Sequence, residues 1–569
     1  MTVRKSLLST LFATIFFTAA VVCDAAENAK PWLTASFAGY DRIVADLGMI
    51  GELGGNSSLA QQIEMMSMLL PHSEKAKGPL ALDPKLAWGA VLTGDSQKST
   101  FYAFLPIADI KPVVDLVKAQ SKQDIKPNGD IYELPAGPKT VFAVQKGSWV
   151  YVANSADQLA NTAADPLPLL GDLPKQYDVA VRVSIKNLPK EYREQLLAQL
   201  RAGAEVGMQQ MPNEDDENYA IRQGMAKQAV EQLTTLVNEM DELLLGWNVD
   251  ASTKTTCLDL QITAQPGTKL ATQLAEIKAG KSNFAGLLLP NATFTVNSVG
   301  TLGDLQVNQA KAALDGFRKT AVKGLETQGL SDEETKLASK LVNDALDVLA
   351  KTIETRKTDM AASLVLDAVT MTFIGGIAIA DGTKLDGVLK QLAEQLKKNG
   401  ELDSVKLTDE TVDDLHLHML TMPTPDPQMI PYFGETMEIA VGIGQDKAVV
   451  ALGRDAIKTL KTSIGKLKNG AKEMPPFQIT IAAAPLAKFI AEVDEDPQSK
   501  ATAAVLAGML AQAGDKDHVT ITAHPITDGV RLRLELEQGL LKAIGSMSQM
   551  MGAMGVPSPG PGPGAVPGK

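Results

Sequence analysis

Asp109 and Asp381 stand at the same place in two runs of one motif order, and that recurrence constrains the chain more than any other feature. Leu105-Pro106-Ile107-Ala108-Asp109 is followed nine residues on by Lys118; Ile377-Ala378-Ile379-Ala380-Asp381 is followed at the same interval by Lys390. The two runs lie about 270 residues apart, a period of domain-sized units rather than of a solenoid. Ser36-Phe37-Ala38-Gly39 opens one copy and Asn297-Ser298-Val299-Gly300 the other, each reading as a strand that runs into a helix.

Hairpins recur in the same order. Val141-Phe142-Ala143-Val144, a turn at Lys146-Gly147-Ser148 and Trp149-Val150-Tyr151-Val152 match Ile439-Ala440-Val441-Gly442-Ile443, a turn near Gln445-Asp446-Lys447 and Val449-Val450-Ala451-Leu452. Alternating apolar runs around Gly, Ser, Asp or Lys are the hairpin signal. A closing hairpin joins Trp247-Asn248-Val249-Asp250 to Cys257-Leu258-Asp259-Leu260, and its counterpart joins Val519-Thr520-Ile521-Thr522 to Val530-Arg531-Leu532-Arg533-Leu534. Any mixed chain repeats strand, turn, strand and helix, but the shared order of several features favours duplication. The expected fold class is α+β, with two homologous domains, each a mostly antiparallel sheet with helices packed on one face.

At 569 residues the chain exceeds what one core serves, so two domains also fit its length. Apolar residues at 45% and charged residues at 21% are ordinary globular chemistry. The net charge of −13 and the lack of a basic stripe argue against nucleic acid as a partner.

Arg4 and Lys5 precede an apolar run over residues 7–22, and Cys23-Asp24-Ala25 supplies small residues at −3 and −1. This is the layout of a signal peptide over residues 1–25, cleaved after Ala25. The run is short for a membrane span, and no later run is long and apolar enough, so no transmembrane segment is expected after cleavage. A lipoprotein signal would place Gly, Ala or Ser before Cys23; Val22 stands there and argues against lipidation. The mature chain then holds Cys257 alone, which cannot form an internal disulfide and reads as a small core residue.

The first copy is expected over residues 31–279, the second over 283–545, and a Met-, Gly- and Pro-rich flexible tail over 546–569. The first copy carries a helical stretch over residues 189–244, broken by the acidic run Asn213-Glu214-Asp215-Asp216-Glu217-Asn218. The second carries one over 305–356, with a start signal at Ser331-Asp332-Glu333-Glu334. All four Trp lie in the first copy. A recognition surface is one reading of them; core filling is favoured, because Trp149 and Tyr151 share a strand face.

Candidate sites are sparse. His416 and His418 alternate along Leu415-His416-Leu417-His418-Met419, which puts both imidazoles on one strand face, with Asp414 on the same side. Two such His can begin a zinc or copper site; an exposed polar face of an edge strand explains them more simply. Met547, Met550, Met551 and Met554 are soft ligands suited to Cu(I) and resemble the methionine motifs of periplasmic copper-handling proteins. Their spacing is equally one apolar helix face, and packing is the favoured reading.

Gly280-Lys281-Ser282 lacks the upstream Gly and the preceding strand of a phosphate loop. Ser463-Ile464-Gly465-Lys466 lacks the companion motifs of serine acylases. Asp494-Glu495-Asp496 is too short for a calcium loop. Asp109 and Asp381 read as helix N-caps. No catalytic residue and no cofactor is assigned.

Layout and signal segment together resemble uncharacterised exported bacterial proteins built from a tandem domain duplication, a resemblance that brings no activity with it. The signal segment leads to the expectation of a periplasmic or extracellular chain, with an unknown envelope ligand or protein as its partner. The function expected is an exported non-catalytic binding or scaffold protein of the bacterial cell envelope. The alternatives are a hydrolase-type enzyme with an unrecognised carboxylate site, and a metal-handling (copper or zinc) periplasmic protein.

Overall fold

The computed structural model describes residues 30–55, 82–94, 99–136, 139–160, 162–207, 209–210, 216–326, 331–367, 370–398, 405–424 and 429–553. The expected signal segment at residues 1–25 and the residues beyond Ala553 lie outside them. The fold is α+β, and contacts divide the chain into two compact units that meet between Leu270 and Ala271.

The first unit holds strands β1 (Leu33–Phe37), β2 (Trp88–Gly94), β3 (Ser99–Leu105), β4 (Pro127–Asn128), β5 (Ile131–Ala136), β6 (Lys139–Lys146), β7 (Trp149–Ala153), β8 (Val179–Ser184), β9 (Met240–Asp250) and β10 (Thr255–Ala264). Every pairing is antiparallel, in the order β4-β5-β6-β7-β3-β2-β1-β8-β9-β10. Helix α1 (Tyr40–Leu53) follows β1, α2 (Lys111–Ser121) follows β3, and α3 (Lys190–Gly207) and α4 (Asp216–Glu239) follow β8. The helical stretch read from sequence therefore stops five residues short of Leu244. Met240 to Leu244 join β9 instead, because β8 and β10 offer it a ladder on both sides and its Leu243, Leu245 and Trp247 alternate on one face.

The second unit holds β11 (Gly280–Ser282), β12 (Phe294–Thr301), β13 (Lys357–Leu366), β14 (Met371–Ala378), β15 (Val405–Val412), β16 (Leu415–Pro423), β17 (Thr436–Ile443), β18 (Lys447–Gly453), β19 (Lys472–Met474), β20 (Phe477–Ala482), β21 (His518–Ile526) and β22 (Gly529–Leu536). Its main sheet runs β15-β16-β17-β18-β14-β13-β12-β20-β21-β22, again antiparallel throughout. β11 pairs with β19 separately. Strand by strand, the order of neighbours is that of the first unit. Helices α5 (Asp304–Glu326) and α6 (Asp332–Glu354) follow β12, α7 (Gly382–Lys398) follows β14, and α8 (Ala456–Leu467) follows β18. α9 (Ala483–Val493) and α10 (Pro497–Ala511) follow β20, and α11 (Gln538–Ala553) follows β22.

Local chemistry sets these elements. The turn between β6 and β7 uses Gly147 at φ 59°, and that between β21 and β22 uses Asp528 at φ 55°, the left-handed conformation that tight hairpins require. Ser331 begins α6 with a capping box: its Oγ accepts the Glu334 N–H at 3.3 Å, and the Glu334 carboxylate accepts the Ser331 N–H at 2.9 Å.

The two faces of the first sheet are covered unequally. On one face Phe104, Trp149 and Tyr151 pack with Leu159 and Leu170 from short helical turns. On the other, Ile107 and Val114 cover Ala143, Val150 and Val152 at the β5–β7 end. That second face then continues across β1, β8, β9 and β10, where no such cover is described.

Candidate functional site

The open stretch of the second face is built by register. Val181 lies opposite Leu245 and Leu245 opposite Leu260; in the next row Val179 lies opposite Trp247 and Trp247 opposite Leu258. Residues opposed across an antiparallel ladder project to the same side, so these side chains form one continuous apolar field. Val181 is 37% exposed, Leu245 47%, Leu258 41% and Leu260 38%. Asp259 and the half-buried Gln261 on β10 point the other way. Asp259 is fully buried, where it accepts the Tyr177 hydroxyl at 2.9 Å, and Gln261 donates its amide to that hydroxyl at 2.5 Å. Tyr177 lies flat against Gly246, where a Cβ would meet the ring at 2.5 Å. The usual polarity of a sheet with one wet face is thus inverted.

Aromatic residues divide between these environments. Trp149 and Tyr151 fill the core, as their shared face implied. Trp247 belongs to the open face, and Trp88 stacks on Phe37 at 4.1 Å between ring centroids, both on strands of that face.

His416 and His418 do project to one side of β16, but the strand is paired on both edges, with β15 and β17, and is not an edge strand. His416 is exposed. His418 is buried under α7, and its Nε2 lies 2.6 Å from the Oδ1 of Asp386, 32 residues earlier in the chain. Lys390 pairs with the other oxygen of Asp386 at 2.7 Å. These neighbours hold the Asp386 carboxyl low against the pull of burial, which acts to raise it. His418 Nδ1 makes no hydrogen bond. Asp414 pairs with Lys447 at 2.8 Å and is not brought to the imidazoles. Among the described residues no group of three or more His, Cys, Asp or Glu is placed to hold a metal.

Met547, Met550 and Met551 fall on α11, their side chains outside what is described; Met554 lies outside the described residues altogether. Cys257 is buried on β10. Gly280-Lys281-Ser282 is strand β11, and Ser463 is buried on α8 against the sheet. Asp496 caps α10 by accepting the N–H groups of Gln498 and Ser499. Asp381 accepts the Lys384 N–H at 3.0 Å at the start of α7 and pairs with Lys351. Asp109 accepts the Lys111 N–H at 3.0 Å just before α2. These are structural roles.

Sequence reasoning missed a buried acid pair at the end of the first sheet. Asp46 on α1 is 6% exposed, and Asp178, just before β8, is fully buried. One cation, Arg42, serves both: its Nε is 2.7 Å from Asp178 and 3.8 Å from Asp46. Burial and then the Asp178 charge push the Asp46 carboxyl up to about 7.

The second unit carries a shallow depression of about 470 Å³, lined by Met474, Pro475, Pro476, Thr522, His524 and Pro525 among others, mostly through apolar atoms. Among the described residues no helix is long and apolar enough to cross a membrane. No family model matches the chain, and no curated protein and no solved structure matches it either.

Proposed function

We propose that the chain is an exported, non-catalytic binding protein of the bacterial cell envelope, and that the open apolar face of its first sheet is the contact surface. The carrying observation is the cross-strand field of Val181, Leu245, Leu258 and Leu260, each more than a third exposed. A soluble chain seldom leaves contiguous apolar surface wet without a use for it. The field holds no charge, and its one indole N–H, on Trp247, is already donated to Thr256 at 2.9 Å, so its ligand is apolar where it touches, and affinity comes from area removed from water, at about 25 cal/mol per Å².

The acid pair is a poorer basis for an enzyme, since Arg42 and the backbone already occupy Asp178. The shared order of strand neighbours supports descent of both units from one duplicated domain.

The test uses purified full-length protein and the dye anilinonaphthalene sulfonate, read by energy transfer from tryptophan, with Trp247 inside the field. Saturable binding that Leu245→Lys or Leu260→Lys abolishes, with the tryptophan spectrum of the folded chain retained, is the expected result. Binding unchanged by both substitutions would place the contact surface elsewhere. Fractionation, with N-terminal sequencing of the mature chain expected to begin at Ala26, tests the location.

A further inference from the structure

The pair formed by Asp46 and Asp178 has a charge deficit that its geometry does not repair. Asp178 is well supported: its Oδ2 accepts the Val249 N–H at 2.8 Å, and Arg42 Nε lies 2.7 Å from Oδ1. Arg42 is spread over several partners, donating to Asn248 Oδ1 at 2.6 Å and to the carbonyl oxygens of Pro174 at 3.1 Å and Lys175 at 3.5 Å. Asp46 lies farther from the same Nε, at 3.8 Å. Two buried acceptor oxygens, Asp46 Oδ2 and Asp178 Oδ1, are left with no hydrogen-bond donor. The Arg42–Asp178 contact is an ion pair whose N–H is not aligned on the oxygen. Two unsatisfied carboxylate oxygens beside one guanidinium nitrogen in a buried site are satisfied by one proton held between them.

We infer that Asp46 and Asp178 share a single proton, and that this proton latches α1 to the end of the first sheet. Asp46 holds it, because Asp178 has the better support as an anion. The Asp46 O–H donates to the Asp178 carboxylate, and the remaining negative charge is balanced by Arg42. When the proton passes to solvent, two carboxylates face one guanidinium.

The other charged and titratable groups around Asp46 do not relieve this. From β9, Asp250 adds a further negative charge, and its own carboxyl is held low by Ser252 and Thr253. From α1, burial pushes the Tyr40 hydroxyl up to about 12, so it stays neutral. The nearby Lys175 ammonium is turned to Asp172 at 2.8 Å. α1 carries Arg42 and Asp46 together, so losing the proton weakens its hold on β8 and β9 at one point.

The sign follows from linkage. The docked state holds the proton up to about pH 7, whereas a released Asp46 has its ordinary value of 3.8. The latch is therefore complete below about pH 4, weakens as pH rises toward 7, and changes no further above it. Each pH unit inside that window multiplies the opening of α1 by up to about tenfold.

Hydrogen exchange of the peptide covering α1, corrected for intrinsic rates, reads this directly in the full chain. Between pH 5 and pH 7, the ratio of wild-type to Asp46→Asn opening is expected to rise by about tenfold or more, and to stay level above pH 7.5. Because Asp46→Asn keeps shape and a donor toward Asp178, it is expected to fold and to hold α1 at every pH. A second readout does not depend on exchange: infrared spectra of wild-type protein at pH 6 should contain the carbonyl stretch of a buried protonated carboxyl, absent from Asp46→Asn. Equal pH dependence in both proteins, or no protonated carboxyl at pH 6, overturns the inference. Neither outcome bears on apolar binding at the sheet face.

Discussion

Leu244 and Leu245 are neighbours on β9 that project to opposite faces, and truncating each in turn tests the inverted sheet. Leu244 is 9% exposed and packs with Leu173, Tyr177 and Ala180; Leu245 is 47% exposed. Burying a leucine fully is worth about 1.5–3 kcal/mol, so Leu245, about half buried, has roughly half of that to lose on truncation to Ala, about 1 kcal/mol. Leu244→Ala loses the full transfer term and also leaves a cavity beside Tyr177, which together cost about 2–5 kcal/mol. The change in intrinsic strand propensity is the same at both positions and cancels in the comparison. All four tryptophans precede Leu270, so tryptophan fluorescence follows unfolding of the first unit alone. With a urea m value of about 3 kcal/mol/M, the midpoint is expected to fall by about 1 M for Leu244→Ala and about 0.3 M for Leu245→Ala. Dye binding should respond in the reverse order, weakened by Leu245→Ala and retained by Leu244→Ala. Equal midpoint shifts would refute the reasoning, because they would mean that Leu245 is as enclosed as Leu244.

Gly246→Ala drives a Cβ into the Tyr177 ring, which its bonds to Asp259 and Gln261 keep from swinging aside; a loss of about 1–3 kcal/mol by urea melts is expected, and a smaller effect would show that the ring is free to move. Ser331→Ala removes the hydroxyl that accepts the Glu334 N–H at the start of α6, while the backbone half of the capping box remains, and should cost about 1 kcal/mol, with a fall in helical circular dichroism that Ser331→Asp largely restores. Asp386→Ala strips the partner from buried His418 and should cost about 1–3 kcal/mol. The double variant His418→Phe with Asp386→Leu should cost less than the sum of its parts, and additivity would show that the pair is not coupled.

Hairpins were legible because period-two alternation and turn residues are local. The turn at Gly147 and the ladder between β17 and β18 needed no information from elsewhere in the chain. The start of α6 at Ser331 was legible for the same reason. The depth of His418 was not, because alternation assigns it a side but cannot say that α7 folds over that side. The same limit hid the open face: Leu258, Leu260, Asp259 and Gln261 separate cleanly into two faces, and the ordinary expectation buries the leucines. Tyr177 settles the matter by taking the polar side, from more than eighty residues away in sequence. Asp46 and Asp178 are likewise joined only by tertiary packing, and an isolated Asp on an amphipathic helix carries no signal of a distant partner.

The Tyr177–Asp259–Gln261 triad has a bearing on how the chain reaches its final pairing. Sliding β10 by a single position would turn its leucines inward and its carboxylate outward, an exchange that burial of oily surface alone would reward. Directional bonds to one phenol forbid that slip. Folding here is steered by a polar lock against the hydrophobic gradient, and a chain deprived of the lock would be drawn toward a mispaired sheet with its greasy field concealed.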